Sequence, residues 1–148
     1  MRPPATQVSY KVGDKIEVCS KEEGFMGSYY EATIASCLEN GKYEVLYKTI
    51  LEDDESGPLK ETLFLKDIRP IPPRVRKSRR FQLNQRVDVF YNDGWWLGII
   101  TSEKILIRNR YYIRVYFSTL GRIMYCPCTR IRVHQELIYG EWISSRFI

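Results

Sequence analysis

The chain has 148 residues, of which 44% are hydrophobic and 14% aromatic, and a formal net charge of +5. That hydrophobic share is typical of globular chains and argues against a disordered one. No run reaches the roughly 18 apolar residues that a membrane-spanning helix needs, so we expect no membrane association. No apolar segment follows the first residues, so we expect no secretion signal. The length allows one domain or two small ones.

Charge is distributed unevenly along the chain. Residues 1–68 carry a net −5, residues 69–80 carry +6, and residues 81–148 carry +4. The first part would attract a basic ligand and the remainder an acidic one. The 4 cysteines show no disulfide framework and predict free thiols in a reducing compartment.

Alternating apolar residues predict four strands in the first half, over 12–19, 29–34, 42–47 and 59–65. Residues 1–9 are predicted to be a leader, and 66–70 close the first unit. The linker at 71–80 is rich in proline and basic residues. No apolar pattern persists at helical spacing for three turns, so helix content should be small.

A β-hairpin is predicted over 87–100, with its turn at Asn92-Asp93-Gly94 and Asp-Gly as the turn pair. Trp95 and Trp96 follow the turn directly. Because successive strand residues point to opposite faces, only one of the two tryptophans can be buried in a core.

The first half recurs in the second. The matching blocks are 15–18 with 86–89, 29–34 with 95–100, 43–47 with 113–117, and 68–70 with 131–133. An internal duplication of about 60 to 65 residues with short strands predicts two small barrels. We predict domains at 10–70 and 81–145, and we expect the two barrels to pack on one another because each buries little surface alone.

These blocks resemble the plant Agenet domain, a Tudor-like member of the Royal superfamily, present as a tandem pair. The resembling motifs are Gly-Asp-Lys-Ile-Glu-Val at 13–18 with 22–30, their counterparts at 87–90 and 93–98, and the endings at 67–70, 130–134 and 140–142. The resemblance covers residue 10 to about residue 143. It implies an all-β fold of two small Tudor-like, SH3-like barrels packed as a tandem pair.

Within the family, the chain is most similar to plant heterochromatin members that read histone H3 dimethylated at lysine 9. Plant proteins that combine Agenet domains with a separate uncharacterised domain are also similar. The resemblance implies a nuclear, monomeric reader of the histone H3 tail that acts in heterochromatin and gene silencing.

A methylated lysine keeps its charge and is attracted to aromatic faces. By position in the family, the resemblance assigns a methyl-lysine cage in the second copy to Tyr91, Trp96 and Phe117, with Asp93 at its rim. Trp95 is then the core residue. Each of these aromatics could equally be a core residue, and both interpretations stay open.

The first copy supplies an alternative cage of Phe25, Tyr30 and Tyr47. It has Ser20 where the second copy has Tyr91, and this difference favours the second copy.

Two acidic loops are candidates for binding an unmodified basic group, either lysine 4 of the histone or its amino terminus. Carboxylates accept the hydrogen bonds that such a group donates. Solvated loops are the alternative. The residues are Glu22, Glu23, Glu52, Asp53, Asp54 and Glu55.

The alternative function is nucleic-acid binding through the basic linker and the second domain, with steep salt dependence. The linker residues are Arg76, Lys77, Arg79 and Arg80, which would equally suit a nuclear import signal or an inert connector. Arginines and tyrosines also interleave over 108–116, but we favour ordinary strand alternation as the explanation.

Catalysis has little support in the sequence. His134 is the only histidine, and with Cys126 and Cys128 it makes three potential zinc ligands, one short of a closed structural site. No glycine-rich phosphate loop is present. We therefore predict a non-enzyme without a cofactor or metal.

Overall fold

The computed structural model describes residues 9–20, 27–75 and 81–144. The first unit consists of five strands: β1 (Lys15–Cys19), β2 (Ser28–Cys37), β3 (Lys42–Leu51), β4 (Pro58–Phe64) and β5 (Ile68–Pro70). The second unit contains β6 (Arg86–Tyr91), β7 (Gly94–Ile100), β8 (Ile105–Ile107), β9 (Arg110–Phe117), β10 (Arg122–Pro127) and β11 (Ile131–Val133). A hairpin of β12 (Gln135–Ile138) and β13 (Glu141–Ser144) follows.

Short 3₁₀ turns occur at Glu39–Gly41, Leu65–Asp67 and Cys128–Arg130. Within the described ranges, no helix is long and apolar enough to cross a membrane.

The two units repeat one pattern of strand pairing. In the first unit β1, β2, β3 and β4 pair antiparallel in succession, and β5 returns to pair with β1. In the second unit β6, β7, β9 and β10 do the same, and β11 returns to β6. Each unit encloses its own apolar core, with Ile16 and Val45 fully buried in the first and Val87 and Phe117 in the second.

The β6–β7 turn differs from the prediction. Tyr91 pairs with Gly94, and the two residues between them, Asn92 and Asp93, have φ values of 47° and 65°. This is the pattern of a two-residue type I′ turn, so the turn pair is Asn-Asp and not Asp-Gly. Gly94 is the first residue of β7, where a Cβ would lie 2.6 Å from the ring of Tyr30.

The two barrels are joined edge to edge. Tyr29 of β2 pairs with Trp95 of β7, and Ser28 pairs with Trp96. The Leu97 amide also donates a hydrogen bond to the Gly27 carbonyl, at 3.2 Å. Since Tyr29 and Trp95 occupy equivalent positions in the repeat, the join relates the barrels by an approximate twofold axis.

Candidate functional site

A buried ionic cluster lies where the barrels meet. Glu17 is 0% exposed and accepts hydrogen bonds from Arg69 Nε at 3.0 Å and Nη2 at 2.8 Å. Arg132 of the second barrel donates from Nη1 to Glu17 Oε2 at 2.8 Å and from Nε to Asp88 Oδ2 at 2.9 Å. Burial of a carboxylate is costly unless it is paired, and here each one has a guanidinium. We call these four residues the ionic joint.

Aromatic rings cover both arginines of the ionic joint. The Arg69 guanidinium lies 3.5 Å from the centroid of the Tyr29 ring, and that of Arg132 lies 4.1 Å from the Trp95 ring. Burial raises the pKa of Tyr29 to about 12, although the nearby Arg69 opposes this shift. Burial also acts to lower the pKa of Arg132, but the hydrogen bonds and charges of Glu17 and Asp88 outweigh it and raise that pKa. The joint thus satisfies its own charges and fixes the two barrels together.

The single histidine belongs to the same region. His134 is 2% exposed, and its Nδ1 lies 2.8 Å from Asp88 Oδ1. The next residue, Gln135, accepts a hydrogen bond from Arg69 Nη1 through its carbonyl at 2.8 Å. In the described part of the chain, no three His, Cys, Asp or Glu side chains are grouped as metal ligands. The contact with Asp88 thus connects His134 to the ionic joint.

The prediction that Trp95 is the core tryptophan and Trp96 the cage tryptophan is wrong. Trp96 is 3% exposed and lies in the second core, because its pairing with Val89 directs both side chains inward. Trp95 points outward into the junction beneath Arg132. Phe117 is 0% exposed in the same core, so neither Trp96 nor Phe117 presents an open face to a ligand.

Tyr91 and Asp93, the other two members of the predicted cage in the second barrel, also have contacts within the protein. Tyr91 is half-buried against the core, and its hydroxyl accepts a hydrogen bond from Arg122 Nη2 at 3.3 Å. A guanidinium beside this ring repels a second cation. Asp93 is exposed, and its carbonyl accepts a hydrogen bond from Thr49 of the first barrel at 3.4 Å. Whether this set binds a methylated lysine stays a prediction.

The first-barrel set pairs tyrosines with a carboxylate. Tyr47 is 6% exposed and belongs to the first core, and its hydroxyl donates a hydrogen bond to the exposed carboxylate of Glu61 at 2.8 Å. Tyr30 is half-buried, and its ring lies against Gly94 in the hairpin of the second barrel. Asp93 precedes Gly94 and so lies at the edge of the first barrel. The third predicted member, Phe25, falls outside the described residues.

The acidic loop between β3 and β4 has a defined turn. The Glu55 amide donates to the Glu52 carbonyl at 2.8 Å, and the Ser56 amide donates to Asp54 Oδ1 at 3.0 Å. Hydrogen bonds from Ser56 hold the pKa of Asp54 below its usual value. Asp53, Asp54 and Glu55 are exposed. Glu22 and Glu23, in the other predicted acidic loop, lie outside the described residues.

Comparison with known proteins agrees with this architecture. An Agenet domain model matches residues 13–73. The crystal structure of Arabidopsis thaliana AGDP1 AGD34 has a TM-score of 0.82 and 31% sequence identity, over 90% of this chain and 88% of that chain. The chain belongs to the Agenet domain family. The crystal structure of ADCP1 tandem Agenet domain 3-4 has a TM-score of 0.77 at 27% identity, over 90% of this chain and 86% of that one. These matches confirm the predicted all-β fold of two Tudor-like barrels in tandem.

Two longer Arabidopsis thaliana proteins are similar over most of the chain. Protein AGENET DOMAIN (AGD)-CONTAINING P1 is 33% identical over 137 residues, which is 93% of this chain. DUF724 domain-containing protein 3 is 32% identical over 134 residues, or 87% of this chain. The chain spans 26% of the length of the first and 19% of the second.

Our sequence reasoning missed the ionic joint of the Agenet pair. The sequence does contain a pattern that predicts this joint, because the repeat aligns Glu17 with Asp88 and Arg69 with Arg132. An acid retained between apolar residues in both copies, with an arginine retained in the returning strand, predicts a buried cross-strand ion pair. The basic linker residues of the alternative function lie outside the described residues: Arg76, Lys77, Arg79 and Arg80.

Proposed function

We propose that this Agenet pair is a nuclear chromatin reader without catalytic activity, which binds the histone H3 tail. Dimethylated lysine 9 is held against aromatic rings, and unmodified lysine 4 or the amino terminus is held by carboxylates. A role in heterochromatin and gene silencing follows from that mark. The observation that carries the proposal is the hydrogen bond from Tyr47 to the exposed carboxylate of Glu61, with the half-buried Tyr30 packed against the same core.

Electrostatics favour the first barrel as the holder of the methylated lysine. Aromatic faces attract a methylammonium by about 0.5–1 kcal/mol each when exposed and about 2 kcal/mol when desolvated. The carboxylate of Glu61 adds attraction at the first barrel, whereas the guanidinium of Arg122 opposes it at the second. The competing location is the second-barrel set of Tyr91, Trp96, Phe117 and Asp93.

The acidic loop is suited to the unmodified group. Glu52 is the first residue after β3 and follows Tyr47 by five positions, about 17 Å of extended chain, and its Oε1 accepts a hydrogen bond from the Lys60 amide at 3.3 Å. Lysine 4 and lysine 9 of an extended histone tail are separated by the same number of residues and the same distance. A tail lying along β3 could therefore contact the tyrosines and the acidic loop together.

Titration calorimetry with histone H3 peptides that include both lysines tests the proposal. Four peptides are compared: unmodified, dimethylated at lysine 9, dimethylated with lysine 4 acetylated, and dimethylated with the amino terminus acetylated. We expect a gain in affinity on dimethylation and a loss on at least one acetylation. Equal, weak binding of all four peptides would refute the proposal.

A further inference from the structure

The outward side of β9 and β10 in the second barrel combines aromatic rings with positive charge. Along β9, Ile113 and Val115 point into the core, so the alternate residues point out. Arg114 pairs with Tyr125 of β10 in the sheet, and Tyr116 pairs with Ile123. We call the following five residues the outer face: Tyr112, Arg114, Tyr116, Ile123 and Tyr125.

The aromatic side chains of the outer face are accessible. Tyr116 is 37% exposed and Tyr125 is 57% exposed, while Tyr112 is half-buried. Residues two apart in a strand are separated by about 7 Å. The face therefore presents tyrosine rings on two neighbouring strands around one guanidinium.

The fold alone does not require these residue types. In the first barrel the same register places Glu44 opposite Thr62 and Leu46 opposite Lys60. Strand alternation explains why these positions face outward in both barrels. It does not explain why only the second barrel has tyrosines and an arginine there.

The surroundings of the outer face are strongly basic. Between Gly94 and Gln135 the only acidic residue is Glu103. The exposed basic residues in that stretch are Lys104, Arg108, Arg110, Arg114, Arg122 and Arg130. Such a surface attracts polyanions, whose condensed counterions are released when phosphates are neutralised.

A cavity of the second barrel adjoins the outer face at Tyr116. It has a volume of about 250 Å³, and its lining includes Arg86, Leu97, Ile99 and Tyr116. Tyr116 belongs to both features because it pairs with Ile99 of β7. The aromatic surface thus adjoins a recess whose lining includes aliphatic side chains and an arginine.

We propose that the outer face binds single-stranded nucleic acid. Bases stack on Tyr112, Tyr116 and Tyr125, and Arg114 contacts phosphate. Stacking on exposed tyrosine rings needs bases whose faces are free, which a duplex does not provide, and each stacked base contributes about 1–3 kcal/mol. An acidic peptide would satisfy the charge but would leave the tyrosine faces without planar partners. These residues are not those of the proposed histone site.

Fluorescence anisotropy tests the proposal, with labelled oligo-uridine, oligo-thymidine and a mixed-sequence duplex at several salt concentrations. We expect single strands to bind more tightly than the duplex, and the affinity to fall steeply with salt. Comparison of the uridine and thymidine strands distinguishes RNA from DNA. Tight binding of the duplex, or equal competition by polyglutamate, would overturn the proposal, as would no binding to either single strand at low salt.

Variants separate stacking from charge. Tyr116→Ala with Tyr125→Ala should weaken single-strand binding by at least about tenfold, whereas the matching Phe substitutions should retain it. Arg114→Gln should weaken binding and reduce its salt dependence. Lys60→Gln is the control, because it removes one exposed charge from the equivalent face of the first barrel and should have little effect on binding. Equal losses for the Ala and Phe variants, or for Arg114→Gln and Lys60→Gln, would contradict the proposal.

Discussion

The two barrels share their strand pairing and differ in what they present at equivalent positions. The first barrel has Tyr47 hydrogen-bonded to Glu61 where the second has Phe117 with Met124. On the outer side, the first barrel has Glu44 where the second has Arg114. Core positions and strand returns are retained in both copies, while the surfaces have diverged toward opposite charges. This divergence suits the first barrel to a cation and the second to an anion.

The ionic joint is the feature on which the two copies agree. Glu17 pairs with Arg69 across β1 and β5, and Asp88 pairs with Arg132 across β6 and β11. Arg132 also reaches Glu17 in the other barrel. The retained pairs therefore hold the divergent surfaces in one fixed arrangement.

Removal of the shared carboxylate of the joint should have the largest effect on stability. Glu17→Ala leaves the buried guanidinium of Arg69 without a carboxylate and leaves Arg132 with Asp88 alone, and we expect a loss of about 3–5 kcal/mol in the free energy of unfolding. Urea denaturation measures this loss. Glu31→Ala is the matched control, because it breaks a surface pair with Lys48 and should cost about 0–1 kcal/mol. Equal losses for the two variants would show that the joint does not stabilise the pair.

A smaller loss is expected from crowding of the barrel junction. Gly94→Ala places a Cβ 2.6 Å from the Tyr30 ring and 3.1 Å from the Tyr29 carbonyl oxygen, so the barrels must shift. Overpacking of this kind costs about 1–3 kcal/mol, measurable by thermal or urea unfolding. Gly57→Ala is the control, since nothing lies within 4 Å of the added atom. Equal stability of the two glycine variants would contradict the close contact between the β6–β7 hairpin and Tyr30.

The smallest expected effect is a dependence of stability on alkaline pH. The pKa of Tyr29 is about 12 in the folded chain, above its ordinary value of 10.0. The folded state therefore holds this proton more tightly than the unfolded state, and the associated stability is present below pH 10 and is lost as the pH rises toward 12. Unfolding measured across this window should show a weaker pH dependence in Tyr29→Phe than in the parent chain. An unchanged dependence would remove Tyr29 as its source.

Sequence patterns predicted the fold well because they depend on local alternation and on an internal repeat. The offset between Lys15-Ile16 and Arg86-Val87 predicted the duplication, and the predicted strands lie close to those observed. The choice between Trp95 and Trp96 failed because alternation shows that the two side chains diverge but not which face is inside. Which face of β7 is inside is decided only when β9, a more distant segment, pairs with it and closes the second core.

The candidate site was harder to predict because it also depends on contacts between segments that are distant in sequence. Aromatics at family cage positions include Phe117, which fills the second core. The charges that distinguish the two barrels come from other strands, with Glu61 on β4 and Arg122 on β10. Only the assembled sheet brings each charge to its tyrosine.

The most direct test of the first barrel as the methyl-lysine site is a comparison of Tyr30→Ala with Tyr91→Ala. Both variants and the parent chain are titrated with histone H3 peptides that are unmodified or dimethylated at lysine 9. We predict that Tyr30→Ala loses most of the preference for the dimethylated peptide, by about 1–2 kcal/mol, while Tyr91→Ala retains it. A preference that survives in Tyr30→Ala and disappears in Tyr91→Ala would contradict this account and assign the cation to the second barrel.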